Sequence, residues 1–306
     1  MIIDEDLRWI FIVWMGLVFY RLTLDYLRKV KLAYFRILEI EDHTAFVSFA
    51  LLFLFTLMAV IYLTKPFFST NYSFLVISIA IVSCLSFPYG ILYYNNRMAF
   101  LRSSYRLLRP SIGAPIPIYH IIAADILTSF SKALADWDVL FFCALLSRFT
   151  NQNSKCLPSL FGVALVCLPY LIRIRQCLHD LSHGDRFWII ANIFKYSTSF
   201  PIIYLGFLWQ SKIKTPWIAL NVVNYLFSLF WDISIDWRLP RKSTHLSTLF
   251  ISTAIGWNVL VRGLWLWRLI SGPENFILNC ILELSRRYIW LIMRIDAQAT
   301  TLPNAL

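Results

Sequence analysis

The sequence predicts an all-α polytopic membrane protein with about ten transmembrane helices, nine of them clear and one short and broken. Composition is the first reason. Of 306 residues, 59% are hydrophobic and 17% aromatic, while only 15% are charged. A soluble domain carries about 45–50% apolar and about 25% charged residues, so this chain lacks the polar skin that a water-exposed surface needs. The second reason is a mean hydropathy of +0.64. The third is that apolar residues gather into runs of about 20, the length that crosses a hydrocarbon core. Abundant Phe, Trp, Tyr and Leu exclude intrinsic disorder, and 9 Gly with 12 Pro in no period exclude a collagen-like chain.

The runs follow one another at 9–24, 44–63, 72–92, 118–146, 157–178, 187–209, 216–231, 245–270 and 276–293. The first follows an acidic opening (Asp4, Glu5, Asp6) and has no small-residue cleavage site, so it is expected to remain in the mature protein. The connector 25–43 mixes Arg28, Lys29, Lys31 and Arg36 with Glu39, Glu41 and Asp42. Between the third and fourth runs, segment 98–118 carries Arg102, Arg106 and Arg109, then Pro110, Pro115 and Pro117. It reads either as a short broken helix packed inside protein or as a basic amphipathic helix on the membrane surface. The remaining loops are short, so function must lie within or beside the membrane.

Lys and Arg number 28 against 17 Asp and Glu, a net charge of +11. In a soluble chain that excess would suggest nucleic acid. Here it sits beside or inside apolar runs, where it reads as topology signal or as an anion site, with no nucleic-acid partner. Basic segments 173–186, 238–242 and 286–294 would share one side, cytosolic by the positive-inside rule, and would carry the C-terminus with them. The six cysteines are scattered with no CxxC spacing and read as small buried hydrophobes. His179 and His183, with Asp180 and Asp185, read as a solvated loop rather than a metal site. HExxH, P-loop and GxSxG motifs are absent. No metal, cofactor or catalytic activity is expected.

A charged side chain at a helix centre costs about 2.5–3.5 kcal/mol on insertion scales, and such residues mark pathways and binding sites. In run 118–146, Asp125, Ser129, Lys132 and Asp136 fall on one helical stripe, with Thr128 and Ser131 nearby. Arg173 ends the next run, Lys195 and Tyr196 lie inside another, and Asp232 and Asp236 end the one after. Arg262 is deep in 245–270 with Trp265 three residues on, and Arg286 and Arg287 interrupt the last run. The intramembrane set is five cations (Arg173, Lys195, Arg262, Arg286, Arg287) against three carboxylates (Asp125, Asp232, Asp236). A proton or metal-cation site would need the opposite balance. Excess arginine suits an oxyanion gripped by bidentate forks, with the carboxylates holding the arginines when the site is empty.

Six motifs, in order, then carry a resemblance. They are the stretch from Asp125 to Asp136, the stretch Leu171 to Leu178 around Arg173, and Asn192 to Phe200 around Lys195 and Tyr196. Next come Trp231 to Trp237 with its two aspartates, Val261 to Trp265 with Arg262, and Leu282 to Asp296 with Arg286, Arg287 and Arg294. Residues 123–298 so resemble the EXS domain of the SPX-EXS eukaryotic phosphate exporters, the family typified by the xenotropic and polytropic retrovirus receptor. The resemblance implies an EXS-type bundle of ten helices, a homodimer, a phosphate pathway and both termini in the cytosol. It carries the phosphate-contacting role to Asp125, Thr128, Ser131, Arg173, Lys195, Tyr196, Asp232, Asp236, Arg262, Trp265, Arg286 and Arg287. Thr128 stands where the family pattern has Asn.

The chain opens about eight residues before its first run, so the resemblance points to the branch without the SPX sensor, similar to the yeast ER-retention-defective protein. The implied task is return of inorganic phosphate from the Golgi lumen to the cytosol, as a by-product of glycosylation, linked to retention of glycosyltransferases and ER residents. The endoplasmic reticulum and plasma membrane are the alternative locations. Besides phosphate and the bilayer, a cytosolic glycosyltransferase-sorting adaptor is an implied partner. The alternative function is a non-transporting Golgi scaffold or receptor that recycles glycosyltransferases. The expected organisation is N-terminal helices and connector over 1–117, an EXS transport domain over 118–298 and a cytosolic tail over 299–306.

Overall fold

The structure, a computed structural model, describes residues 5–32, 34–38, 43–64, 70–87, 89–109, 116–137, 160–181, 185–207, 214–241, 243, 245–267 and 275–300. The tail 301–306 and Asp138 lie outside the described residues. Within them the chain is helical: α1 (Glu5–Lys29), α2 (Tyr34–Leu38), α3 (Thr44–Thr64), α4 (Thr70–Ser86), α5 (Tyr94–Leu108) and α6 (Ile118–Ser129). Then come α7 (Leu160–Asp180), α8 (Arg186–Ser197), α9 (Ser199–Phe207), α10 (Lys214–Phe230) with a π-helical turn Trp231–Asp236, α11 (Thr248–Arg262) and α12 (Phe276–Ala299). Five of these segments are long and apolar enough to cross a membrane: Leu7–Lys29, Thr44–Thr64, Leu160–Asp180, Thr215–Asp236 and Thr248–Trp267. The chain is a helical multi-pass membrane protein.

The central helix is α12. It buries Leu284, Tyr288, Trp290, Leu291, Met293 and Ile295 against Ile12, Leu24 and Leu27 of α1, Ile122 of α6 and Ala254 of α11. It is absent from the five because it carries Arg286, Arg287 and Arg294, whose charge its neighbours shield from lipid. A second, smaller core joins α1, α3 and α4 through Ile10, Leu54, Ile61 and Ile77.

Among the described residues, turns interrupt predicted runs 187–209, 118–146 and 245–270, the last at Gly263–Leu264. The run 187–209 divides at Thr198 into α8 and α9, three residues before Pro201, whose missing N–H leaves the carbonyl of Ser197 without its helical partner. Run 118–146 turns at Phe130 before helix resumes at 131–137. Asp136, beyond that turn, pairs with Arg8 of α1 at 3.0 Å.

Helices α1 and α12 run parallel. Arg8 lies over the Phe276 ring, 5.4 Å from its centroid, and Phe19 stacks on Tyr288 eleven residues further along α1 and twelve along α12. Residues 5 and 299 therefore lie at opposite ends of the bundle. Helix α5 begins and ends at the same end of the bundle. Its start is tied to the neighbourhood of α3 and α4, with Asn96 Nδ2 3.0 Å from His43 Nδ1 and Arg97 donating to the carbonyls of Cys84 and Phe87 at 2.6 and 2.9 Å. Its last turn is tied to α7, where Arg175 donates to the carbonyl of Leu108. Both attachments are at the end where α1, α7, α10 and α12 finish. That end carries Arg28, Lys29, Arg175, Arg241 and Arg294 and is called the basic end below.

A candidate anion-binding cavity

A cavity of about 360 Å³ lies between α6, α7, α8, α9, α10, α11 and α12. Its lining comes from the halves of these helices away from the basic end. Five cations line it, Lys132, Lys195, Arg262, Arg286 and Arg287, with one carboxylate, Glu283. Hydroxyls and amides complete the wall, among them Thr128, Ser129, Ser131, Tyr170, Asn221 and Asn224. Trp217 and Trp265, edge to face at 6.0 Å between centroids, supply an aromatic side.

Helix geometry explains why these side chains meet. On α11, Asn258 and Arg262 are one turn apart and face the π-helical turn at the end of α10. Asp232 Oδ2 there accepts from Arg262 Nε at 3.0 Å, Arg262 Nη2 at 2.6 Å and Asn258 Nδ2 at 3.1 Å. Asn258 Oδ1 in turn accepts from Arg262 Nε and Arg286 Nη1, each at 3.2 Å. Lys195 Nζ is 4.0 Å from the other oxygen of Asp232 and lies over the rings of Tyr196 and Trp231.

On α12, Glu283 lies one turn before Arg286 and Arg287. It accepts from Arg286 Nε at 2.9 Å and Nη2 at 2.5 Å, and from Ser129 Oγ at 2.8 Å. Arg287 donates to Ser129 Oγ and Thr128 Oγ1, both at 3.1 Å, and stacks on Trp290 at 4.9 Å. Among the described residues no carboxylate lies within ion-pair distance of Arg287 or Lys132. These two, with Lys195 at the limit of its reach, are the cavity's least neutralised charges.

Toward the basic end the cavity is floored by a closed group. Arg173 Nε is 2.8 Å from Asp125 Oδ1 and 3.1 Å from the Tyr196 hydroxyl, which donates to the same carboxylate at 2.6 Å. Arg173 also donates to Gln176. Eight of the twelve sequence-predicted residues line the cavity: Thr128, Ser131, Lys195, Tyr196, Arg262, Trp265, Arg286 and Arg287. Asp125, Arg173 and Asp232 stand behind that wall as its ionic support. Asp236 is not part of the lining; it accepts from Trp290 Nε1 at 3.1 Å and pairs with Arg294 at 3.0 Å. Residue-by-residue charge reading missed Asn258, Asn224 and Tyr170, which are uncharged. It also passed over Glu283, although the spacing of Glu283 and Arg286 was the available signal.

A profile described as "EXS family" matches residues 7–300. Protein ERD1 homolog 1 of Schizosaccharomyces pombe is 27% identical over 288 residues, covering 83% of this chain and 76% of that protein. Protein ERD1 of Saccharomyces cerevisiae is 26% identical over 291 residues, 82% of this chain and 73% of that protein. Phosphate transporter PHO1 homolog 10 of Arabidopsis thaliana is 25% identical over 239 residues, 68% of this chain and 30% of that longer protein.

Proposed function

This chain belongs to the EXS family, and from that premise we propose that it carries inorganic phosphate across a membrane, from the Golgi lumen to the cytosol. The observation that carries the reading is the cavity lined by five cations and one carboxylate. The likeness to a protein named as a phosphate transporter supports the substrate, and the likeness to ERD1 proteins supports the branch.

In this reading, phosphate enters from the end opposite the basic one and displaces water from Arg287, Lys195 and Lys132. Arg262 and Arg286 offer further donors while Asp232 and Glu283 hold their guanidinium planes in place. Thr128, Ser129 and Ser131 supply hydroxyls that donate to or accept from the protonated and unprotonated oxygens. Several moderate contacts suit a substrate that must also leave. Passage onward requires the Asp125–Arg173–Tyr196 group to part, which places a gate between cavity and basic end. Returning phosphate in this way would relieve the by-product of lumenal glycosylation and so support retention of glycosyltransferases.

The test is labelled-phosphate flux through purified protein in proteoliposomes, wild type beside Arg287→Ala. Flux that is present in the first and lost in the second is expected. Folded wild-type protein that moves no phosphate would overturn the reading in favour of a retention scaffold.

A further inference from the structure

Helix α5 lies differently from the long spanning helices described above. Both its ends are fastened to the basic end of the bundle, so its 15 residues, about 22 Å of helix, run across that face instead of through the protein. Arg97 anchors it from beneath. The side chain is fully buried and donates to the carbonyls of Cys84, Phe87, Ile91 and Leu92 at 2.6–3.0 Å. These carbonyls belong to the end of α4 and the link to α5, and the buried guanidinium satisfies groups that the ended helix leaves open.

With Arg97 pointing inward, helical spacing puts Arg102, Arg106 and Arg109 together on the opposite side, at i, i+4 and i+7. All three are exposed. Arg175 joins them at the last turn through its bond to Leu108. Among the described residues none of the four has a carboxylate within ion-pair distance, and Arg102 and Arg106 make no hydrogen bond at all. A soluble anion would satisfy that charge alone. The same helix, however, exposes Phe100, Tyr105 and Leu108 by half or more of their surface, and these side chains gain only if they enter the acyl boundary. Basic residues on one half of the helix with exposed aromatic and aliphatic residues on the other are the pattern of a helix lying in a bilayer interface. The positive-inside rule sets the basic end, and α5 with it, in the cytosolic leaflet, the one that carries anionic lipid.

We propose that α5 is an anionic-lipid site, with Arg102, Arg106, Arg109 and Arg175 gripping the phosphorylated headgroup of a cytosolic-leaflet phospholipid while Phe100, Tyr105 and Leu108 hold its acyl chains. The site is separate from the cavity and does not depend on what the cavity carries. Lipid bound here would pin the link between α4 and α6, and so the start of α6, whose far end contributes Thr128 and Ser129 to the cavity.

The test is binding of dioctanoyl phosphatidylinositol 4-phosphate to the purified full chain in neutral detergent, read by native mass spectrometry. Dioctanoyl phosphatidylcholine, inositol 1,4-bisphosphate and inorganic phosphate serve as comparison probes. Wild type should bind the anionic lipid at least roughly tenfold more tightly than any of the three, and R102Q/R106Q/R109Q should lose that margin by roughly tenfold or more. The charge-keeping R102K/R106K/R109K should retain most of it. Should the triple glutamine variant fail to fold, Arg102→Gln alone, which breaks no contact inside the protein, should still weaken binding. Equal binding of phosphatidylcholine would overturn the proposal, as would binding of the soluble phosphates as tightly as the lipid. Unchanged binding in the glutamine variants would overturn it as well.

Discussion

Arg287 Nη2 stands 3.1 Å from Thr128 Oγ1, and its Nε stands at the same distance from Ser129 Oγ. Two hydroxyls of α6 therefore hold a buried guanidinium of α12 without neutralising it. Arg262, by contrast, is locked to Asp232 by two bonds. The charge on Arg287 is available to an anion, and the charge on Arg262 is largely committed.

From this contrast the two alanine variants should differ. Arg287→Ala strands no carboxylate and should fold with a melting midpoint near wild type while phosphate flux falls below about a tenth. Arg287→Lys should keep part of the flux, because an ammonium carries the charge but not the fork. Arg262→Ala removes the closest partner of a fully buried Asp232 and should cost about 3 kcal/mol of stability as well as flux. Thermal unfolding in detergent beside proteoliposome flux separates the two. Equal destabilisation in both would contradict the assignment of Arg287.

Glu283 links the two neighbouring arginines, directly to Arg286 and through Ser129 to Arg287. It is the one carboxylate on the cavity wall and competes with any bound anion. Glu283→Gln should therefore lower the phosphate concentration for half-maximal flux, by about tenfold for one lost charge-assisted bond. Maximal flux should fall too, since release becomes slower. Flux measured over a range of phosphate concentrations reads both. A higher half-saturation would show that Glu283 holds the site together rather than competing in it.

The turn that shapes this wall depends on a glycine in another helix. A Cβ built on Gly16 of α1 would sit 2.3 Å from Cζ of Phe130, the residue at which α6 turns. Gly16→Ala should destabilise the protein by about 1–3 kcal/mol through overpacking and lower flux by displacing Thr128 and Ser129. Phe130→Leu in the same chain should recover much of the lost stability, a coupling that a double-mutant cycle measures. Additive losses would mean that the two sites do not touch.

Hydropathy made the class of fold legible, because a run of 20 apolar residues has few alternatives. The cationic members of the site were legible for the same reason, since each costs too much in lipid to be there by chance. Two kinds of feature were not. Asn258 carries no charge, so no insertion cost flags it, although it bridges Arg262, Arg286 and Asp232. The breaks at Phe130 and Thr198 and the π-helical turn at Asp232 rotate side chains by amounts that a regular period cannot supply. Asp136 and Asp236 are absent from the cavity lining, paired instead with Arg8 and Arg294. The direction of α5 also escaped the sequence. A basic amphipathic pattern fits a surface helix and a short buried one alike, and only the attachments at His43 and Leu108 decide between them.

With α5 lying across the basic end, the two ends of the chain are expected on opposite sides of the membrane. Arg8 beside Phe276 and Phe19 beside Tyr288 fix α1 and α12 in the same direction, so a residue before Arg8 and a residue after Ala299 are expected to face opposite compartments. Single-cysteine variants at Glu5, Arg106 and Thr300, in a chain whose own six cysteines are replaced, test this with a membrane-impermeant maleimide on sealed vesicles. Arg106→Cys and Thr300→Cys should label from one side, the cytosolic one by charge, and Glu5→Cys only after the vesicles are opened. Labelling of Glu5→Cys and Thr300→Cys from the same side would mean that α5 crosses the membrane after all. The arginines on its outer face would then line a pathway instead of meeting headgroups.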